Sequence, residues 1–351
     1  MIFGMWNEEL ETMYINHKIY DADINSVAAE NLSWEKLAGK NLLLTGASGL
    51  IGTELVDVLM KKNRADNLNV KIFAAGRNEK IASERFADYL GDKNFEFVKL
   101  DVNAPIEVDL PVDFIIHAAS NTHPLLYSTD PVGTMTANIL GTYNLLEFGR
   151  RKNIERFVFL SSVEIYGKAL RDEDLFDEKY CGYIDCNTVR AGYPESKRAG
   201  EALCQAYISQ HNMDIVILRL SRIYGATMRL NDSKAMSEFI MNGVRGEDIV
   251  LKSKGVPRFS YCYATDTVSG ILYCLLKGKC GEAYNVSDSS EILSLREIAE
   301  YISGLAEYTG LHLMKALSLS LIYDFTNTSG YAICISPVLQ NCCFLHCQMC
   351  N

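Results

Sequence analysis

From residue 41 the chain alternates short, nearly all-apolar runs with longer stretches in which apolar residues recur every three or four positions. The runs Asn41–Thr45, Val70–Ala75, Phe95–Leu100, Phe114–His117, Arg156–Ser161 and Ile215–Leu220 read as strands. The stretches Leu50–Lys62, Ile81–Leu90, Val132–Arg151 and Tyr193–His211 read as helices. Strands that are apolar throughout are those buried on both faces. The alternation therefore predicts an α/β chain with a doubly wound parallel sheet between two helical layers. After residue 222 the rhythm loosens. Ala235–Gly246, Thr265–Gly278 and Leu295–Leu305 read as helices and Glu282–Val286 as a strand. Before residue 40, Glu9–Met13 and Ile24–Leu32 read as short helices, with Ser33 capping a turn that runs to Leu37.

Composition narrows the function classes. A chain of 351 residues with 48% hydrophobic and 22% charged side chains is long enough for a large core. The net charge of −10, with no run of Lys or Arg, gives nucleic acid no electrostatic footprint. No apolar stretch of about 18 residues predicts a membrane span. Nothing at the start reads as a secretory leader, so the expected location is cytoplasmic. Six of the cysteines, at 181, 186, 204, 262, 274 and 280, are spaced neither as a disulfide framework nor as a metal site.

The first strand runs into Gly46-Ala47-Ser48-Gly49-Leu50-Ile51-Gly52, with glycines at G-x-x-G-x-x-G spacing. Gly46 permits a tight turn, Gly49 lets backbone approach a pyrophosphate, and Gly52 lets the helix pack on the strand. A helix N-terminus there faces phosphates with free N–H groups. This predicts a site for NAD or NADP. The second strand ends in Arg77, without the acid that binds a ribose 2′-hydroxyl in many NAD sites. Arg77 either meets a 2′-phosphate, which leans slightly toward NADP, or is a solvated turn residue. Asp101, after the third strand, is placed to meet the adenine end.

Four Tyr-x-x-x-Lys pairs occur: Tyr14/Lys18, Tyr89/Lys93, Tyr193/Lys197 and Tyr273/Lys277. Only Tyr193 follows a sheet strand and opens a helix, with Pro194 in the first turn. Four residues on, Lys197 shares its helix face and is expected beside the Tyr193 ring. A free phenol has a pKa of about 10, and neighbouring positive charge favours phenolate. Tyr193 is then a base for a hydroxyl proton, and Ser162, ending its strand, fixes the same oxygen.

In order the chain carries TGASGLIG (45–52), LDV (100–102), HAAS (117–120), NILGT (138–142), SSVEIYG (161–167), GYPESK (192–197), RLSRIYG (219–225) and GEAYNVSD (281–288). With these motifs it resembles an extended short-chain dehydrogenase/reductase of the NAD-dependent epimerase/dehydratase family, over roughly residues 38–305. The resemblance implies a Rossmann domain at 40–221, with returning segments near 265–290. It also implies a substrate lobe at 222–310, after an N-terminal extension at 1–39. Ser162, Tyr193 and Lys197 match the catalytic set. Gly46, Ser48, Gly49, Leu50, Ile51, Gly52, Arg77, Asp101, Val102, Ala119, Ser120, Tyr193 and Lys197 fall at cofactor positions. Asn138 matches a helix asparagine near the site. The implied substrate is a nucleoside-diphosphate sugar, oxidised at a hydroxyl, usually C4, and then epimerised, dehydrated or decarboxylated. Homodimers are the family's habit.

Departures from the family pattern bear on the branch. The 4,6-dehydratases carry Asp-Glu where this chain has Val163-Glu164, and valine donates no proton. Glu164 stands where UDP-glucuronate decarboxylases also have glutamate, either facing substrate or serving structure. Arg222 replaces an asparagine that helps bind diphosphate, and Arg258 lies one residue from the family's diphosphate arginine. Ser120, Ser162, Glu164, Arg222 and Arg258 form the expected substrate set. Epimerisation or decarboxylation is expected over dehydration. A non-sugar short-chain reductase and a non-catalytic dinucleotide-binding regulator are the rival classes.

Residues 311–351 break the pattern. Only Lys315 and Asp324 are charged there, and Cys334, Cys342, Cys343, Cys347 and Cys350 crowd around His346. Cys347-x-x-Cys350 has metal-ligand spacing. The expectation is nevertheless an aberrant, frameshifted end, with no metal site.

Overall fold

The computed structural model describes residues 17–122, 124–168, 176–229, 232–289, 292–309 and 333–335. Its frame is a sheet of seven parallel strands in the order β3-β2-β1-β4-β5-β6-β9. These are β1 (Asn41–Thr45), β2 (Lys71–Gly76), β3 (Phe95–Lys99), β4 (Phe114–His117), β5 (Arg156–Ser162), β6 (Ile215–Leu220) and β9 (Ala283–Asp288). A further strand, Ile333–Ile335, pairs antiparallel with β9. The chain order reverses between β1 and β4, which both pair with their neighbours in parallel register. A crevice opens at the carboxyl ends of the strands at such a switch point.

The apolar strand runs follow from the layers. Alternate residues of a strand face opposite sides of a sheet. Leu42, Leu44, Ile72, Ala74, Val158, Leu160, Val216 and Leu218 face one side. There they pack with helices α1 (Lys18–Ala28), α2 (Leu50–Asp66) and α8 (Ala264–Lys277). Leu43, Phe73, Ile115, Phe157, Phe159, Ile215 and Ile217 face the other side. They meet α5 (Pro131–Lys152) and α6 (Gly192–His211).

Local chemistry explains the differences from the predicted elements. The stretch expected as one helix over Ile81–Leu90 is split. α3 (Glu79–Arg85) is capped by Asn78, whose Oδ1 accepts from Ile81 N at 3.1 Å, and a separate 3-10 turn covers Ala87–Tyr89. α1 starts and ends earlier than expected, because Tyr20, Ile24 and Val27 are the residues that share a buried face. Ser33 precedes the turn Trp34–Leu37 but makes no side-chain capping bond. The first residues described are thus part of the main core: Tyr20, Ile24 and Val27 join the cluster of Leu42 and Leu44.

A short helix α4 (Pro124–Thr129) precedes α5. The second half adds α7 (Ala235–Arg245), α9 (Leu295–Thr309) and a three-stranded sheet absent from the sequence reading. That sheet has the order β10 (Ile292–Ser294), β8 (Arg258–Tyr263), β7 (Arg222–Tyr224). Its own apolar cluster contains Tyr224, Phe239, Ile240, Tyr261, Tyr263, Ile298 and Ile302. The helix expected at Glu9–Met13, the CxxC spacing and all of residues 311–351 except Ile333–Ile335 lie outside the described residues, as does Tyr14. No helix among the described residues is long and apolar enough to cross a membrane.

Candidate active site

The glycine-rich turn has the backbone that its sequence requires. Gly46 has φ +69°, and a Cβ there would lie 2.8 Å from the backbone of Ala118 and Ala119. At Gly52 a Cβ would meet Gly46 O at 2.5 Å. The N-cap of α2 is Gly49, which offers no side chain to its first-turn N–H groups. Those of Leu50, Ile51 and Gly52 have no acceptor one turn back within the helix. A closed turn held against Ala118–Ala119, with open donors at a helix start, fits the pyrophosphate of a dinucleotide. Ser48, Leu50 and Ile51 line this turn and are partly buried. Arg77 and Asp101 are exposed at the ends of β2 and β3. Asp101 Oδ1 accepts from Asn103 N at 3.0 Å. Val102 is buried against Gly141 of α5.

Beside this turn β5 ends in Ser162, which is 9% exposed, and α6 begins with Tyr193, which is 7% exposed. The hydroxyls of Ser162, Tyr127 and Ser120 surround the Tyr193 phenol closely enough to act on it, each favouring its ionised form. The Tyr127 and Tyr193 rings stack with centroids 4.8 Å apart. A polar circuit then runs from Tyr193 back to its own backbone. Ser120 Oγ donates to Asn138 Oδ1 at 2.8 Å, Asn138 Nδ2 donates to Ser196 Oγ at 2.9 Å, and Ser196 Oγ donates to Tyr193 O at 2.8 Å. Asn138 and Ser196 are fully buried, so the circuit holds Ser120 and Tyr193 in register.

Lys197 lies one helical turn from Tyr193 on α6. Its Nζ donates to Leu160 O at 2.8 Å and lies 5.0 Å from the Phe159 ring centroid. Burial pushes its pKa down to about 8. Burial pushes the Tyr193 phenol up to about 12, Glu164 adds to that, and the surrounding hydroxyls oppose it. Burial alone thus holds the phenol above its ordinary range.

The other Tyr-x-x-x-Lys tyrosines that are described have structural places. Tyr89 Oη donates to Asp57 at 2.7 Å, and Lys277 covers the Tyr273 ring at 5.2 Å. Glu164 lies in the 3-10 turn after Ser162, where its carboxylate is 3.4 Å from Arg190. Arg190 in turn lies over the Tyr127 ring at 5.7 Å. Arg222 is exposed on β7, whereas Arg258 is tied to Glu297 Oε1 at 2.8 Å and to Ile292 O. Ala119 N donates to Thr45 Oγ1 at 3.3 Å, which holds the strand-end segment under the glycine turn. Sequence reading missed Tyr127, Arg190 and Ser196. Ser196 lies inside the Tyr193 motif and was open to the helical spacing argument, whereas Arg190 lies in the turn before α6. Tyr127 has no local signal, because folding alone brings α4 onto α6.

The model of the NAD dependent epimerase/dehydratase family matches residues 42–287. The chain belongs to the NAD-dependent epimerase/dehydratase family. NAD is thus the cofactor among the two that the sequence left open, and the Gly46 turn fits it. The chain is 31% identical over 264 residues to UDP-glucuronic acid decarboxylase 6 of Arabidopsis thaliana, covering 75% of this chain and 74% of that one. It is 30% identical over 268 residues to UDP-glucuronic acid decarboxylase 1 of Danio rerio, covering 76% and 60%. Among solved structures it is similar to UDP-glucuronic acid 4-epimerase from Bacillus cereus in complex with UDP-glucuronic acid and NAD. That match has a TM-score of 0.65 at 21% identity, covering 76% of this chain and 83% of that one. It is also similar to dTDP-glucose 4,6-dehydratase from Bacillus anthracis in complex with NAD. There the TM-score is 0.64 at 21% identity, covering 76% and 81%. At such identities these two show the shared fold.

Proposed function

We propose that this protein oxidises C4 of a nucleoside-diphosphate sugar to a transient ketone and then decarboxylates it, with UDP-glucuronate as the substrate. The observation that carries the reading is the buried Tyr193 phenol, caged by Ser162, Tyr127 and Ser120 beside the glycine turn.

NAD, held at the Gly46 turn, would supply the acceptor for a hydride from C4 and the means of its return. Tyr193 accepts the C4 hydroxyl proton as that hydride leaves, and gives it back when the hydride returns. Ser162 donates to the same oxygen and fixes its position. Lys197 is held at Leu160 O, on the strand that ends in Ser162, and burial lowers its pKa. A C4 ketone makes the C6 carboxylate of a hexuronate a β-keto acid. The C5–C6 bond then breaks, carbon dioxide leaves, and C5 takes a proton. Val163 supplies no acid for loss of water, which argues against dehydration. Glu164, held by Arg190, is a carboxylate close enough to act on the Tyr193 phenol. The relatives at 30–31% identity are UDP-glucuronic acid decarboxylases, which favours this branch over epimerisation.

The second partner in this reading is another copy of the chain. α5 exposes Val132 (72%), Met135 (37%), Leu140 (45%) and Tyr143 (46%), an apolar stripe at helical spacing that a homodimer would cover. The site residues on the opposite side of α5, such as Asn138, stay buried in the protomer.

Purified protein with NAD should release carbon dioxide from UDP-glucuronate, form a UDP-pentose, and leave UDP-glucose and dTDP-glucose unchanged. A changed sugar that keeps its carboxylate would replace decarboxylation by epimerisation. No change in any of the three would sink the reading.

A further inference from the structure

On the sheet face under α6, apolar residues give way to a polar row at the carboxyl edge. Ser161 of β5, Arg219 of β6 and Asn285 of β9 are register partners across three neighbouring strands. They lie two residues beyond Phe159, Ile217 and Ala283, which pack under α6. Glu201 of α6 binds this row. Its carboxylate accepts from Arg219 Nε at 3.1 Å, from Arg219 Nη2 at 2.7 Å and from Ser161 Oγ at 2.5 Å. Arg219 Nη1 donates to Tyr166 Oη at 3.1 Å and to Glu178 O at 2.7 Å, and Tyr166 Oη donates to Asn285 Oδ1 at 2.6 Å. Side-chain exposures of 11% and 12% leave the ion pair nearly closed to water. Such a pair adds little net stability, since apolar residues of similar volume often serve a fold as well. Its place in the molecule points to a second use.

The pair is anchored to the site's own frame. Ser161 directly precedes Ser162, and Tyr166 ends the 3-10 turn that Ser162 caps. Arg219 and Ser161 together use both carboxylate oxygens of Glu201, so its position is fixed. Glu201 follows Lys197 by one helical turn, which puts the two on one face of α6. Its charge favours the Lys197 ammonium against the downward push of burial. The other groups around Lys197 carry no compensating charge. From β5 they are the Leu160 carbonyl and the Phe159 ring. From β4 comes the His117 imidazole, which burial and Lys197 itself push down to about 3. From α6 come the Cys204 thiol, which burial pushes up, and the Tyr193 phenol one turn before. Arg219 of β6 is already matched to Glu201.

We propose that Glu201, fixed by Arg219 and Ser161, is a positioning residue of this site whose charge keeps the Lys197 ammonium in place at Leu160 O. Glu201 is not a catalytic residue, because its carboxylate is spent on Arg219 and Ser161. It acts on the chemistry through Lys197. Arg219 fixes that carboxylate and balances it, which allows a charge to be kept in the sheet's interior beside a second ammonium. The turnover that Glu201 would govern rests on the UDP-glucuronate reading, and the state of Lys197 does not.

Carbon NMR of the full chain, labelled at its lysine ε-carbons, follows Lys197 through pH, with its signal identified by its loss in Lys197→Met. Glu201→Gln keeps the side-chain shape and removes the charge. It should lower the Lys197 midpoint by about one pH unit or more, and the alkaline limb of UDP-glucuronate turnover should move down with it. That variant leaves Arg219 uncompensated in the interior, which can unfold the chain. Glu201→Gln combined with Arg219→Met removes both charges together, and should lower the midpoint in the same direction. Ser161→Ala removes one tie to Glu201 without changing any charge, and should leave the midpoint in place. A midpoint that stays put in the double variant, or that falls as far in Ser161→Ala as in the Glu201 variants, overturns the assignment. The reaction is read separately from wild-type turnover. A lowered midpoint with no wild-type turnover sinks the reaction alone, and wild-type turnover with an unmoved midpoint sinks the Glu201 role alone.

Discussion

Two buried polar groups lie on opposite faces of the sheet, and they are built on different rules. On the α6 side, Tyr193 sits among neutral hydroxyls, and the circuit through Ser120, Asn138 and Ser196 carries no formal charge. On the α1–α2–α8 side, carboxyl groups converge. Glu54 accepts from Thr265 Oγ1 at 2.7 Å, Asp57 from Tyr20 Oη at 2.5 Å and Tyr89 Oη at 2.7 Å, and Asp23 from Tyr263 Oη at 3.0 Å. Burial pushes Glu54 up to about 8, Asp266 up to about 7, and Asp57 and Asp23 up to about 6. A neutral cage tolerates a change of charge at one phenol, which proton transfer requires. A cluster of carboxyls holds together best while protons keep it neutral. The first arrangement suits chemistry, and the second makes the packing of α1 sensitive to pH.

Removing the phenol is the strongest way to break the comparison. Tyr193→Phe should leave the fold and NAD binding largely intact, and should lower turnover of UDP-glucuronate by at least about a thousandfold. Product formation and NAD titration on the same preparation check both halves. Retained turnover would transfer the base role to another group, with Tyr127 stacked on the same ring as the first to test.

Charge in the second cluster is tested by Glu54→Gln. The folded pKa of Glu54, about 8, lies above its ordinary value of 4.5. Its stabilising contribution is thus complete below pH 4.5 and is lost as pH rises to 8. His117 and Lys197 are shifted the other way by burial and add stability as pH rises, so the raw curve mixes signs. The difference between variant and wild type isolates Glu54. Glu54→Gln should gain stability relative to wild type from pH 5 to pH 8, and the gain should level off above that. A difference that stays flat across this range in denaturant melts would mean that Glu54 is already ionised in the fold.

The contrast also marks what the sequence could carry. Leu42–Leu44 and Ile215–Leu218 were legible because a strand covered on both faces is apolar at every position. Tyr193 was legible because its motif opens a helix after a strand, a test that three other tyrosines of the same spacing fail. Arg222–Tyr224 and Ile292–Ser294 were not legible, since three residues are too few to show a period. The carboxyl cluster was invisible for a different reason. Asp23, Glu54 and Asp266 come from three separate helices, and each reads as an ordinary polar position until packing buries it. The direction of Lys197 was likewise hidden, because helical spacing fixes a shared face and not which acceptor the long side chain finds.

Asn138→Ala sharpens the first half of the comparison. It opens the circuit in two places, leaving Ser120 and Ser196 without their buried partner. The expected cost is about 2–3 kcal/mol of stability, from unpaired buried groups. Turnover should fall by about tenfold or more, with little change in NAD affinity, because Ser120 and the Tyr193 backbone lose the buried link that holds them in register. If turnover at saturating substrate is unchanged, the circuit supports the fold without positioning the phenol.

The smallest effect tests the second half. Tyr20→Phe removes one of the two phenols that donate to Asp57. A hydrogen bond to an ionised acceptor is worth about 1.5–3 kcal/mol, against about 1 kcal/mol for a neutral pair. Asp57 has a pKa of about 6, raised by burial and held back by these same phenols. The cost of Tyr20→Phe should therefore be about 1 kcal/mol at pH 5 and about 2 kcal/mol at pH 7.5, read from denaturant melts at the two values. The increase is the useful quantity, since lost packing and a lost neutral bond contribute equally at both. An equal cost at pH 5 and 7.5 would mean that Asp57 does not change charge in that interval, and α1 would then be held by packing in which protonation has no part.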